Sequence, residues 1–134
     1  YKSELGFTAA QAAAALQESD APLSAQLKQE AILQTEEVLK SNPKNVSFLR
    51  TAIRTYFELS IIDKSYLKKT LQTLDSSINL SPTDPKLFYN KALILDSEGK
   101  IDEEIKTLQE AIKLKPNYLE ALTLLKEATA EATK

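Results

Sequence analysis

The tetrapeptide Asp102-Glu103-Glu104-Ile105 holds the one dense carboxylate cluster of the chain, so acid–base chemistry has to be sought there first. The sequence contains no histidine and no cysteine. Their absence removes the commonest general base, the usual nucleophile–base pairs and most zinc ligand sets. An Asp–Glu pair acting as acid and base is the remaining catalytic option. The three acids open an amphipathic stretch, however, and the helix dipole favours negative charge in a first turn. A structural role is therefore expected of them, and no catalytic residue, metal ligand or cofactor is assigned. Gly6 and Gly99 stand alone, which excludes a glycine-rich phosphate loop, and no calcium loop of alternating acidic ligands occurs.

Binding chemistry has more candidates than catalysis. Arg50 and Arg54 are four residues apart, the spacing that puts two side chains on one helix face, where they can pair a partner's carboxylate. Charge is uneven along the chain. Residues 1–43 carry three basic and six acidic groups, residues 44–82 six and three, and residues 83–134 eight and ten. With a net charge of −2, no general attraction to nucleic acid or an anionic membrane is expected. Asn45 and Asn79 head Asn-x-Ser triplets that accept glycans only in a secreted eukaryotic protein, and chance accounts for them.

The elements that must carry these residues are helical. The 134 residues include only two glycines and five prolines, with Ala, Leu, Lys, Glu and Gln abundant, a mixture that favours helix. That length suits one domain. No apolar run approaches the 18 or so residues of a membrane span. The lack of methionine, even at residue 1, is what a piece of a longer protein would have, and such a parent can be membrane-anchored. Apolar residues recur at helical spacing between clusters of Pro, Asn, Asp and Gly, and predict seven helices. Their expected spans are about Ser3–Ser19, Leu23–Ser41, Val46–Ile62, Ser65–Leu80, Pro85–Glu98 and Asp102–Leu114, with a seventh from about Asn117 into a polar, fraying end. Asp84 is a natural cap before Pro85, which suits a first helical turn.

Pro82 and Pro116 stand 34 residues apart, and similar segments end at each: "LDSSINLSPTD" and "LQEAIKLKPN". Between Pro85 and Tyr118 the order of residue types is Phe88, small Ala92, Gly99 in a turn, "DEEI", small Ala111, then Pro116. This order and period resemble the tetratricopeptide repeat, a helix-turn-helix unit. Leu95 replaces the usual aromatic, and Glu104 stands where the family favours a small residue that lets two backbones approach. Upstream the match is looser: Pro43 to Pro82 spans 39 residues, Ser77 stands where Ala111 stands in the next unit, and Ala31 is small but Val38 large.

The resemblance implies an all-α fold, a right-handed superhelical stack of antiparallel helix pairs in a single domain over residues 1–134. Its approximate units are 3–43, 44–82, 83–116 and a terminal helix 117–132. Such pairs cannot bury their apolar faces alone and share a core with their neighbours. The family further implies a non-catalytic scaffold whose concave face holds a protein or peptide segment. By that analogy Lys86, Tyr89, Asn90, Leu93 and Asp96 face the concave side, with Asn90 bonding a ligand backbone. Arg50 and Arg54 add cations, and the mixture suits an extended chain carrying a carboxylate. A more diffuse resemblance, to the soluble extracytoplasmic repeats of bacterial O-antigen polymerase and ligase-type membrane proteins, gives the alternative. Far-ultraviolet circular dichroism should give a helix-dominated spectrum, and a β-dominated one would end this reading.

Overall fold

The structure, a computed structural model, describes residues 2–134. Among the described residues there are seven helices and no strand: α1 (Lys2–Ala15), α2 (Ala21–Ser41), α3 (Val46–Ile62), α4 (Tyr66–Leu80), α5 (Pro85–Ser97), α6 (Ile101–Leu114) and α7 (Leu119–Ala132). The fold class is all-α, as the periodicity predicts. None of these helices is long and apolar enough to cross a membrane.

The boundaries are set by caps. Asp84 Oδ1 accepts the Lys86 N–H at 3.1 Å, and Pro85 follows in the first turn, where its missing N–H costs nothing. Asn45 Oδ1 likewise accepts the Phe48 N–H at 3.1 Å, so the first glycan-acceptor triplet begins with a helix cap. The one sizeable departure from the expected spans is at the first link. α1 stops at Ala15 because Asp20 caps the next helix through the Leu23 N–H, with Pro22 in its first turn, and residues 16–19 form the turn between them.

The helices gather into two compact units that divide within α4, one up to Ser77 and the other Ile78–Lys134. In the first, α1 packs on α2 and α3. Its buried stripe is Ser3, Gly6, Ala9, Ala10 and Ala13, all small. At Gly6 a Cβ would lie 3.0 Å from Thr35 Oγ1 and 3.4 Å from the Ala31 carbonyl oxygen, so glycine is what permits the approach to α2. Ser24 Oγ donates to the Ala13 carbonyl at 2.6 Å and ties the two helices again. Ala31, Ala52, Tyr56 and Leu59 complete this core, and Tyr66 stacks on Tyr56 with centroids 6.3 Å apart.

In the second unit α6 packs on both α5 and α7. Ala92, Leu108, Ala111, Tyr118 and Ala121 form its buried centre, joined by Phe88, Tyr89, Ile112, Leu124 and Leu125. The α5–α6 link is a Schellman turn. Gly99 adopts φ 72°, its N–H bonds the Asp96 carbonyl at 3.0 Å, and the Lys100 N–H bonds that of Leu95 at 3.0 Å.

Ala92 and Ala111 are each completely buried. Ala111→Leu should therefore overpack the α5–α6 crossing and cost about 1–3 kcal/mol, and Gly99→Ala about 1–2 kcal/mol for its left-handed backbone. Lys113→Ala, at an exposed site, should change stability by no more than about 0.5 kcal/mol. Urea midpoints of the three variants check the order, and equal midpoints would show the crossing to be loose.

Candidate functional site

Five of the expected groove residues, Lys86, Tyr89, Asn90, Leu93 and Asp96, lie on α5 at the spacing of one helix face. Lys86, Leu93 and Asp96 are exposed, while Tyr89 and Asn90 are half-buried. The Tyr89 ring tilts against that of Tyr118, with centroids 5.2 Å apart. Lys115 Nζ lies 4.9 Å from the centroid of the Tyr118 ring. Burial raises the Tyr118 hydroxyl pKa, and Glu120, Tyr89 and Asp84 push it further the same way.

The α7 helix supplies the opposite side of this face. Tyr89 lines an open groove with Leu119, Glu120, Thr123, Leu124 and Glu127. These α7 residues are missing from the sequence-based assignment. They belong to the segment expected only as a terminal helix, "LEALTLLKEATAEATK". Asp84, Asp96, Glu120 and Glu127 outnumber the lysines here, Lys86 on α5 and Lys115 beside Tyr118, and give the α5–α7 face an acidic cast.

The two remaining candidates are on α3, in the first unit. Arg50 and Arg54 are both exposed. The Arg54 guanidinium carbon sits 3.9 Å from the centroid of the Phe7 ring, so this cation is engaged with α1 in a cation–π contact.

Glu104 has an unexpected place. Of the three acids in the first turn of α6, Asp102 and Glu103 are exposed, as a dipole-favoured position allows, but Glu104 is 0% exposed. Neither of its carboxylate oxygens receives a hydrogen bond. The Asp96 carboxylate lies close enough to accept a proton from it. Burial, then Asp96 from α5, then Glu131 and Glu127 from α7, raise its pKa to about 7. No three such acids among the described residues converge closely enough to hold a metal ion.

This carboxyl links stability to pH. Its folded pKa of about 7 lies above the ordinary 4.5, so folding takes up a proton between those values. Stability is fully present below about pH 4.5 and is lost as pH rises through about 7, by roughly 3 kcal/mol. Glu104→Gln, which keeps the shape without the charge, should be more stable than the parent by roughly 1–3 kcal/mol at pH 8 and nearly equal to it at pH 4.5. Urea titrations at the two pH values check this. A parent-minus-variant difference independent of pH would mean that Glu104 is solvated.

Residues 85–118 match a family model described as "Tetratricopeptide repeat". No curated protein matches the chain. Among solved structures, the first tetratricopeptide domain of Spaghetti (RPAP3), bound to an HSP90 peptide, superposes with a TM-score of 0.65 at 20% identity, covering 91% of this chain and 94% of that one. An O-GlcNAc transferase from Thermobaculum terrenum gives 0.57 at 20% identity over 96% of this chain and 23% of its own. The protein MamA gives 0.50 at 20% identity, covering 87% and 85%. The resemblance to O-antigen polymerase and ligase appendages finds no support in these matches. Residues 85–118 thus match a tetratricopeptide repeat, in a chain whose fold is similar to that of tetratricopeptide domains.

Proposed function

We propose that the chain is a non-catalytic scaffold that holds a peptide, or an extended segment of a partner protein, on the α5–α7 face. The observation that carries this reading is the groove in which Tyr89 of α5 meets Leu119, Thr123 and Leu124 of α7. It is open and shallow, and offers apolar surface with polar groups along it, which suits an extended chain better than an enclosed small molecule. Asn90 shares this helix face with Lys86 and Leu93, and in this reading bonds the ligand backbone. Arg50 and Arg54 offer a separate, weaker contact on α3. The RPAP3 domain, similar over nearly the whole chain, is a precedent for a peptide ligand. No nucleic acid is expected on an acid-lined face.

Selection from a displayed library of random peptides tests this. Selected peptides should bind with Kd on the order of micromolar, since an open groove leaves ligand and side chains partly hydrated. The double substitution Tyr89→Ala, Asn90→Ala should weaken them about tenfold or more while the helical spectrum is kept. Peptides that bind the double variant as tightly as the parent would move the interface off this face, and the same measurement on Arg50→Ala would tell whether α3 carries it instead.

A further inference from the structure

The sequence suggests a partner that brings a carboxylate, yet the groove in the second unit is walled by acids. Glu120 and Glu127 line it from α7. Asp96 stands exposed on the α5 face, and Glu131 follows Glu127 by one helical turn. Glu104 does not itself line the groove, being enclosed and without a hydrogen-bond donor. Glu127 connects the two features, because it lines the groove and also acts on Glu104. A buried carboxylate without a donor and with three acids near it is electrostatically incomplete, and either a proton or an outside cation relieves it.

The cation that fits is a side chain on an extended segment. A bare metal ion is disfavoured, because the acids do not converge into a ligand set. A lysine or arginine brings charge on a long aliphatic stem, and such stems lie along apolar surface while the head seeks carboxylates. The strip formed by Leu124, Leu119 and the Tyr89 ring offers that surface. The exposed rim of Asp96, Glu127 and Glu131 leaves the head a route of approach. We propose that the α5–α7 groove takes a basic segment, one of whose lysine or arginine side chains is held among Asp96, Glu127 and Glu131 above Glu104. This rests on the scaffold reading above and gives its partner a charge.

A cation held among Asp96, Glu127 and Glu131 does not touch the enclosed Glu104 but opposes its protonation through the field it adds. With a pKa of about 7, Glu104 is about half protonated at neutral pH, and a bound cation would drive the remaining proton off. Every charged group found to act on it, Asp96 from α5 and Glu127 and Glu131 from α7, is an acid that favours the same exchange.

The test uses the full chain and three synthetic peptides of equal length and equal apolar content, bearing lysine, glutamine or glutamate at the same positions. Isothermal titration is run at constant ionic strength at pH 8 and pH 5.5, and at pH 7 in two buffers of different ionisation enthalpy. The lysine peptide should bind at least about tenfold tighter than the glutamate peptide at pH 8. It should weaken about fivefold or more at pH 5.5, and release a fraction of a proton at pH 7. Glu104→Gln should abolish the proton release, and Glu127→Gln, at an exposed site that cannot compromise the core, should weaken the lysine peptide several-fold. Glu110→Gln, an exposed acid of α6 paired with Lys113 at 3.8 Å, should change nothing. Preference for the glutamate peptide, with binding lost in Tyr89→Ala, would overturn the basic-segment inference and leave the scaffold reading standing. Failure of all three peptides to bind, or an equal effect of Glu110→Gln and Glu127→Gln, would overturn it as well.

Discussion

A helix pair can share a core only if its two backbones come close, and in the second unit that condition rests on Ala92 and Ala111. Both are fully enclosed where α5 and α6 pack, in one cluster with Leu108 and Tyr118. The rest of the unit follows from that crossing. The Schellman turn at Gly99 brings α6 back along α5, α6 then offers its other side to α7, and α5 and α7 are left as the two walls of a groove. The first unit meets the same requirement with glycine at position 6 and a run of alanines.

Glu104 occupies a comparable position and violates the rule that governs it. A small residue there would pack silently. A carboxyl group places ionisable chemistry inside a helix interface, at a cost that depends on the proton or cation available to it. Natural cores retain unpaired polar groups of this kind where they specify something, and a hydrophobic replacement would be expected to stabilise the unit while removing that specification.

How much was legible beforehand follows from what local sequence encodes. Asp84 before Pro85, Gly99 in the link and Pro116 after α6 are signals that act through backbone conformation and hydrogen bonding within a few residues, and each marks a boundary where it was expected. The link between α1 and α2 was misjudged because "LQESDAPL" holds two competing helix signals, and the Asp20 cap prevails over the apolar spacing. By the helix dipole alone Glu104 reads as a first-turn acid equivalent to Asp102 and Glu103. Its burial was nonetheless encoded, since it lies four residues before Leu108 and seven before Ala111 on the apolar face of α6 and stands where the repeat favours a small residue; what the sequence does not encode is which acids of α5 and α7 come near it. For the same reason the side chain of Arg54 reads as a free cation, although Phe7 covers it from a helix more than forty residues away in sequence.

The make-up of α1 has a consequence for how the first unit comes apart. Its buried face is Ser3, Gly6, Ala9, Ala10 and Ala13, so the helix is held by closeness of backbones and contributes little hydrocarbon of its own to the core. Detaching it would nonetheless uncover the apolar surface it covers on α2 and α3, where Ala31, Ala52, Tyr56 and Leu59 share one core with Ala9 and Ala10, and the sensitivity of a process to denaturant scales with the surface it uncovers. Amide protons of α1 would then exchange together with those around Tyr56 and Leu59, through a urea-dependent opening of the shared core, rather than by a separate fraying of the first helix.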